Sequence, residues 1–307
     1  MSKKRRYSHP LHPRHWPIWL ALAPLWLIAH APYRLRRLAA TVVGTLLRWL
    51  SASRRRIVAT NLALCFPQMD RQARERLLRD NFRATTEALF DTAIAWWVPT
   101  ARVRRRLEVR GMDRLVRARA NGRGVLLLGA HMGTLEMAGR ALAIDADSDV
   151  VYRRQKNPAW ERIIRRNRAR WIRNVIERSD VMAMRASLLA GHVLWYLPDQ
   201  DNGPAHSVFA PFFGIPAATL TATARLARIG RATVIPVAHW REDDGRWVVE
   251  IGEPLEDFPG RDPVADATRV NRLIETLVRA HPEQYLWAHR RFKTRPPGEP
   301  SLYAPHD

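Results

Sequence analysis

The stretch Gly124-Val-Leu-Leu-Leu-Gly-Ala-His131-Met-Gly-Thr-Leu-Glu136 joins a buried-strand pattern to two side chains capable of acid–base chemistry. Val125–Leu128 are predicted to form a strand, and His131 follows its carboxyl end, where ligands bind in open α/β sheets. A helix is predicted from Thr134, which is a favoured N-cap residue type. Residues five apart on one helix point about 140° away from each other. His131 and Glu136 can therefore meet only if the histidine lies in the turn.

The histidine and glutamate of this motif predict general-base chemistry. A neutral imidazole can remove a proton from a hydroxyl, and a carboxylate on its second ring nitrogen fixes the tautomer. The motif holds no serine or cysteine nucleophile, so direct attack by an activated substrate hydroxyl is expected. The alternative is a structural histidine that is hydrogen-bonded at a strand end. No metal or other cofactor is expected, because His-x4-Glu is not a usual ligand spacing and the chain has no Cys/His cluster.

The composition points to an anionic partner. The 307 residues include 51 Lys plus Arg against 29 Asp plus Glu, a net charge of +22. Nucleic acid, anionic lipid and acidic protein all fit that charge. The single cysteine, Cys65, excludes a disulfide framework within the chain and fits a reducing compartment. Several of the 12 tryptophans lie near the N-terminus, as is typical of proteins anchored at a membrane interface.

The N-terminal region predicts membrane attachment. Residues 1–15 are basic and predicted to be disordered, and residues 16–50 are predicted to form a membrane anchor followed by an amphipathic helix. The apolar part, Trp16–Tyr33, is at the lower length limit for a bilayer span. A signal peptide is one alternative, since Ala29–Ala31 resembles a cleavage site, but the basic residues that follow argue against export. A short span and a helix lying in the interface both stay open.

Beyond the N-terminal region, strands and helices alternate. The alternation predicts an α/β fold, with a mainly parallel or mixed central sheet flanked by helices. Only the two ends of the chain, Met1–Pro10 and Arg295–Asp307, are predicted to be disordered. Predicted helices are Asp70–Trp97, Thr134–Ile144, Pro158–Arg178, Thr219–Arg228 and Pro263–Ala280; Val98–Asn121 is a basic connector; predicted strands are Val125–Leu128, Val150–Tyr152, His192–Leu197, Ala232–His239 and Trp247–Ile251, the last at an edge.

Five further segments, in chain order around the His131 motif, resemble one enzyme family. They are His12–Pro17, Arg55-Arg56 with Asn61–Pro67, Val151–Pro158 with Arg168-Ala-Arg170, Leu197–Thr219, and Pro282–Trp287. Together they resemble the late acyltransferases of lipid A biosynthesis, the lauroyl, myristoyl and palmitoleoyl transferases. The broader resemblance is to the glycerolipid and lysophospholipid acyltransferases, which share the His-x4-acid pair. The resemblance covers nearly the whole chain.

This resemblance implies an enzyme on the cytoplasmic side of the bacterial inner membrane. Such an enzyme moves a fatty acyl chain, here expected to be laurate, from acyl carrier protein to a hydroxyl of a hydroxyacyl chain on a lipid A precursor. It implies that residues 51–295 form the acyltransferase domain and that 296–307 form a tail. It further implies that His131 is catalytic and that Glu136 is its acidic partner. Substrate-binding roles are implied for Arg153, Asn157, Arg168, Arg170, Asp199 and Asp201, although a turn that caps a strand is an equal alternative for the two aspartates.

Two departures and three alternatives qualify the resemblance. Asn167 stands where relatives often have glycine, and Trp171-Ile172 replaces a common Phe-Gly, so the local backbone is expected to differ. A lysophospholipid or another lipid is an alternative acceptor, and coenzyme A an alternative donor. A non-enzymatic basic protein that binds membrane or nucleic acid is the remaining alternative. Nucleic acid is not an expected partner, because the chain has no recognised nucleic-acid-binding motif.

Overall fold

A computed structural model describes Pro13 and residues 16–304. The disorder predicted for Met1–Pro10 lies outside the described residues. The described chain begins with four long helices: α1 (Trp16–His30), α2 (Tyr33–Leu50), α3 (Ala52–Cys65) and α4 (Arg71–Trp97). The helix predicted from Asp70 is confirmed, because the Asp70 carboxylate accepts a hydrogen bond from the backbone N–H of Ala73 at 2.6 Å and so caps α4.

The rest of the described chain alternates between strands and helices, as expected. It comprises α5 (Thr100–Arg104), β1 (Leu107–Arg110), α6 (Met112–Arg119), β2 (Val125–Leu128), α7 (Leu135–Asp145), β3 (Ser148–Tyr152), α8 (Pro158–Arg168), β4 (Asn174–Glu177), α9 (Val181–Leu189), β5 (Val193–Tyr196), β6 (Ser207–Phe212), β7 (Ile215–Leu220), α10 (Ala222–Gly230), β8 (Thr233–Arg241), β9 (Trp247–Ile251), α11 (Pro263–Ala280) and a 3-10 turn at Pro282–Gln284.

These strands form one large mixed sheet and a separate hairpin. The seven-stranded sheet has the order β1-β9-β8-β2-β5-β3-β4, and within it only β8 and β9 pair antiparallel. Strands β6 and β7 form the hairpin. The predicted mixed α/β class, with helices flanking a central sheet, is confirmed.

Three predicted elements are wrong in detail. Trp247–Ile251 is not an edge strand, because β9 lies between β8 and β1, which arises from the basic connector. The helix predicted over Pro158–Arg178 ends at Arg168, since the β-branched Val175 and Ile176 pair with β3 in strand β4. The helix predicted from Thr219 begins at Ala222, because the residues before it belong to the hairpin.

The C-terminal tail is also more ordered than predicted. Residues 296–304 are described, and Tyr303 is buried. Its hydroxyl donates to the Asn61 side-chain oxygen at 2.6 Å and accepts from the backbone N–H of Phe292 at 3.1 Å. A buried tyrosine that uses its ring for packing and its hydroxyl for hydrogen bonds holds the segment in place. The disorder predicted for Arg295–Asp307 is therefore wrong up to residue 304.

Strand β2 is buried on both faces and determines the position of the site. Val125 and Leu127 pack with α7 on one face, and Leu126 and Leu128 pack into a second cluster on the other. Gly124 lets the start of β2 pack closely against α9, because a Cβ at this position would lie 2.2 Å from the backbone oxygen of Leu188. A strand covered on both faces is a continuous apolar run, as the sequence shows. The chain leaves β2 at the carboxyl edge of the sheet, directly before His131.

A buried ion cluster fixes α4 against the end of β8. Arg241 donates to Glu87 at 2.7 Å and also to Asp91, and all three side chains are almost fully buried. Burial raises the pKa of Asp91 despite the neighbouring guanidinium. Removing the guanidinium would leave two carboxylates in the interior without their ion-pair partner.

Arg241→Met is therefore expected to destabilise the protein strongly. The free energy of unfolding should fall by about 3–5 kcal/mol, the usual cost of breaking a buried ion pair from one side. Denaturant unfolding of the purified protein measures this. The triple variant Glu87→Gln, Asp91→Asn, Arg241→Met removes the uncompensated charge and should recover most of the loss. A single Arg241→Met variant as stable as the wild type would contradict this account of the cluster.

Helices α1 and α2 expose many large apolar side chains. Within the described residues, no helix combines the length and the apolar character that crossing a bilayer requires. We name the following group the exposed apolar face: Trp16, Leu20, Trp26 and Leu27 on α1, and Leu35, Leu38, Val42, Leu46, Trp49 and Leu50 on α2. On α2 these residues recur at three- and four-residue spacings, so they share one side of the helix.

Candidate active site

His131 is held by Asp199. The imidazole Nδ1 lies 2.6 Å from Asp199 Oδ1, and the backbone N–H of His131 donates to Asp199 Oδ2 at 2.9 Å. Strand register explains the meeting, because Leu128 pairs with Tyr196 in the parallel strands β2 and β5. His131 and Asp199 each lie three residues beyond those partners, and the carboxyl ends of parallel strands meet at the same edge.

The environment of this pair keeps the carboxylate charged. Burial favours a raised pKa for Asp199, which is only 1% exposed, but the charge of His131 and its hydrogen bonds lower the pKa to about 2. For His131, burial acts to lower the pKa, but the charge and hydrogen bond of Asp199 outweigh it and the pKa is raised. The ionised Asp199 accepts a hydrogen bond from Nδ1–H, which leaves Nε2 as the ring nitrogen able to act as a base.

Glu136 has a different partner. Its carboxylate accepts hydrogen bonds from Arg168 Nε at 3.0 Å, from a second Arg168 nitrogen, and from Trp96 Nε1 at 3.3 Å. Glu136 lies in the first turn of α7 and faces α4 and α8, whereas the imidazole lies over the end of β5. The prediction that Glu136 orients His131 is therefore wrong, and Asp199 takes that position. His131, Glu136 and Arg168 nevertheless all line the same cavity.

Of the two predicted aspartates, only Asp199 contacts His131. Asp201 accepts hydrogen bonds from the backbone and hydroxyl of Thr294, at 2.7 and 2.9 Å, and from the backbone of Gly203. It fastens the loop that carries Asp199 to the C-terminal segment. Neither aspartate lines the cavity. Their contacts therefore do not support the substrate-binding role expected for them.

Of the remaining predicted residues, two line the cavity and one does not. Arg153 and Asn157 line the cavity, although the Asn157 oxygen also caps α8 by accepting from the backbone of Ala159 at 2.9 Å. Arg170 does not line it and donates instead to the backbone oxygen of Trp96 at 3.4 Å. The substrate contact predicted for Arg170 therefore has no support in this geometry, because its guanidinium lies against the end of α4.

The turn that carries His131 is clamped by residues that sequence reasoning did not select. Gly133 donates its backbone N–H to Gln284 at 2.7 Å, and Leu286 donates to the backbone oxygen of His131 at 3.1 Å. Thr134 is hydrogen-bonded to His239 Nδ1 at 2.9 Å, and burial lowers the pKa of His239 to about 4, so this imidazole is neutral. The segment Pro282–Trp287, noted only for its resemblance, was the available signal for the clamp.

A cavity of about 1120 Å³ opens beside His131. Small-molecule sites commonly measure about 300–1,000 Å³, so this space suits a large ligand or more than one chain. Buried apolar side chains such as Met184 and Trp195 line part of it. Exposed arginines line its mouth: Arg153, and also Arg178 and Arg225, which sequence reasoning did not select. Within the described residues, no group of three or more His, Cys, Asp or Glu side chains is arranged to hold a metal ion.

Comparison with known proteins identifies the family. Residues 3–294 match the family model described as bacterial lipid A biosynthesis acyltransferase. The chain is 38% identical over 295 residues to the lipid A biosynthesis lauroyltransferase of Escherichia coli (strain K12), covering 95% of this chain and 96% of that protein. The palmitoleoyltransferase of the same strain gives the same figures, and the myristoyltransferase is 30% identical over 301 residues, covering 96% of this chain and 93% of that protein. The chain belongs to the bacterial lipid A biosynthesis acyltransferase family.

The family assignment makes this protein an acyltransferase of lipid A synthesis. Identity is equal to two relatives named for different acyl groups, so membership does not fix the acyl group. Among solved structures, the 1-acyl-sn-glycerophosphate acyltransferase PlsC of Thermotoga maritima covers 80% of this chain and 96% of its own, at 15% identity and a TM-score of 0.38. That score is too low to define a shared topology.

Proposed function

We propose that this enzyme transfers a fatty acyl chain, laurate by preference, from acyl carrier protein to a hydroxyl of a hydroxyacyl chain on a lipid A precursor. The observation that supports the chemistry is the hydrogen bond between buried Asp199 and His131 at the mouth of a large cavity. The segment Ser207–Phe213 resembles the lauroyl and palmitoleoyl branch, which supports laurate over myristate. Identity is also higher to the relatives of that branch, 38% against 30% for the myristoyltransferase.

The proposed proton path runs through the imidazole. Asp199 accepts from Nδ1, and Nε2 removes the proton from the acceptor hydroxyl as its oxygen attacks the thioester carbon. A tetrahedral oxyanion forms, and its collapse breaks the carbon–sulfur bond. The ester remains on the acceptor, and the imidazolium returns the proton to the departing carrier thiolate. A positioned base of this kind contributes about 10²- to 10⁴-fold in rate.

Arg168 is the proposed stabiliser of the oxyanion. The backbone N–H of Gly133, in the turn after His131, is already donated to Gln284 and is not available for that purpose. Glu136 engages Nε and one terminal nitrogen of Arg168 and so aims the guanidinium along the cavity wall. The other terminal nitrogen still has its donors. An arginine held in place by a carboxylate stabilises developing negative charge without reorganising during the reaction.

The basic mouth of the cavity supports an anionic acceptor. A lipid A precursor carries phosphate groups, and the planar guanidinium fork binds phosphate bidentately. Arg153, Arg178 and Arg225 all line the cavity and are exposed. Attraction by the net charge of +22 is screened beyond about 8 Å at physiological ionic strength, so it speeds encounter, and the arginines at the mouth orient the substrate.

We further propose that the enzyme works on the cytoplasmic side of the bacterial inner membrane, with the exposed apolar face lying in the lipid interface. The tryptophans of this face, together with Arg34 and Arg48 on α2, are residue types that favour the boundary between headgroups and acyl chains. An acceptor lipid would then reach the cavity without leaving the bilayer.

The double variant Leu38→Ser, Leu46→Ser tests this attachment. Binding to vesicles of phosphatidylethanolamine and phosphatidylglycerol, measured by flotation, should weaken at least about tenfold, because each buried leucine contributes about 1.5–3 kcal/mol. Leu189→Ser, an exposed leucine on α9 outside the exposed apolar face, is the matched control and should leave binding unchanged. Equal binding by the double variant and the wild type would remove the exposed apolar face from the proposal.

The proposed reaction is tested with purified enzyme and defined acceptors. Lauroyl-acyl carrier protein is supplied with a lipid A precursor, with a lysophospholipid, or with both, and mass spectrometry identifies which lipid gains the acyl group. Acylation of the lipid A precursor supports the proposal. Acylation of the lysophospholipid alone would show that the proposed acceptor is wrong. A parallel reaction with lauroyl-coenzyme A instead of lauroyl-acyl carrier protein tests the donor.

A further inference from the structure

The cavity passes over the edge of the sheet and enters both faces. Successive strand residues point to opposite faces, so Trp195 and Tyr196 of β5 line different parts of it. We call the part lined by Leu135, Gly139, Val150, Ile172 and Trp195 the α7 branch. The part lined by Val151, Val181, Met184 and Tyr196 is the α9 branch.

The α7 branch is closed at its deep end. Helix α7 begins just after the turn that carries His131, and Leu135 and Gly139 face the cavity one turn apart, about 6 Å along the helix axis. Leu142, the next residue on that side of α7, is fully buried in the core with Trp195 and does not line the cavity. The branch therefore starts beside the imidazole and ends near Gly139.

Gly139 determines how deep this branch is. A Cβ at this position would lie 3.1 Å from Cζ3 and 3.8 Å from Cε3 of Trp195, with no other non-neighbouring atom within 4 Å. Trp195 is only 3% exposed and packs edge-on against His239, so the indole is a fixed wall. Because Gly139 lines the cavity, a longer side chain at 139 would take up space beside the indole.

The two branches differ in charge at their entrances. Arg178 and Arg225, both exposed, line the cavity on the α9 side, together with Leu226 of α10. On the α7 side the charged residues that line the cavity, Glu136 and Arg168, are paired with each other and so leave little net charge. A phosphorylated acceptor is therefore drawn towards the α9 branch, and the closed α7 branch suits a chain that is selected by its length.

We infer that the α7 branch holds the acyl chain being transferred, and that Gly139 packed against Trp195 sets the longest chain accepted. This inference rests on the proposed acyl transfer. It assigns chain-length selection to one helix position. A larger side chain at that position should shorten the longest acyl chain that the branch accepts.

The test uses the full chain with Gly139→Ala and Gly139→Leu. Decanoyl-, lauroyl- and myristoyl-acyl carrier protein are each supplied with one lipid A precursor. In Gly139→Leu the ratio of kcat/KM for the myristoyl donor to that for the decanoyl donor should fall at least about tenfold, the scale at which a methylene is discriminated in a closed pocket. Gly139→Ala should shift the ratio in the same direction by less. Alanine favours a helix interior over glycine, so the second variant keeps the test valid if the first does not fold.

Val181→Phe is the matched control in the α9 branch. It should lower kcat/KM for all three donors by a common factor and leave their ratio unchanged. Unchanged ratios in both Gly139 variants, or a shifted ratio in Val181→Phe alone, would overturn the assignment while the acylated precursor still confirmed the reaction. If wild-type enzyme acylates no lipid A precursor, the proposed function fails, and this inference fails with it.

Discussion

His131→Ala is expected to lower kcat for acyl transfer at least about 100-fold, because a positioned general base is worth about 10²- to 10⁴-fold. At 1.36 kcal/mol per decade this is about 3–5 kcal/mol of activation free energy. The fold should survive, since the side chain is 24% exposed at the cavity and the hydrogen bonds of the His131 backbone do not need the imidazole. Steady-state kinetics with lauroyl-acyl carrier protein measures the loss.

His192→Ala is the matched control for that experiment. His192 lies immediately before β5, at the end of the sheet opposite the cavity, and its backbone oxygen still accepts from Val125 after the change. This variant should keep nearly wild-type kcat. Near wild-type acyl transfer by His131→Ala would remove the imidazole from the reaction.

Asp199→Asn is expected to produce a comparable loss, about 10²- to 10⁴-fold in kcat. An amide at this position can donate to Nδ1 and so favour the tautomer that has its proton on Nε2, which cannot act as the base. The buried carboxylate also stabilises the imidazolium that forms during the reaction, and the amide does not. Kinetics across a pH series separates these effects from a general loss of folding.

The His131–Asp199 pair determines how kcat/KM depends on pH. Asp199 raises the pKa of His131 above its usual value, so in the wild type kcat/KM falls as the pH drops through that raised pKa and the base becomes protonated. Without the carboxylate, burial alone acts on the imidazole and lowers its pKa, so the acid limb of Asp199→Asn should move to lower pH. Glu136→Gln should leave the limb in place, because Glu136 contacts Arg168. A limb displaced by Glu136→Gln but not by Asp199→Asn would contradict this assignment.

The sequence predicted the base and the class of fold, but it paired the base with the wrong acid. Strand β2 and His131 follow from a short apolar run, and that information is local. The contact with Asp199 depends on the register between β2 and β5, which lie 68 residues apart in the chain. Both strands were predicted, yet their adjacency was not. Glu136 was favoured because it is close in sequence, and its true partner, Arg168, comes from another helix.

The missed hairpin has a separate physical cause. Pro211 and Pro216 face each other in β6 and β7, and proline within an apolar run argues against a strand. A two-stranded hairpin tolerates both, because each strand has a free edge where the missing N–H is not needed. Strand β4 has a different cause. The arginines around it are common in exposed helices, so the pattern predicts that the helix continues past Arg168.

The C-terminal residues that the structure describes, up to 304, help to hold the loop that carries Asp199. Asp201, two positions after Asp199, is fastened to Thr294, and Tyr303 anchors the same terminal segment to Asn61 of α3. Proteolytic loss of residues 296–304 should therefore loosen the loop that positions His131, although none of those residues lines the cavity. An affinity tag is safer when a spacer separates it from Tyr303.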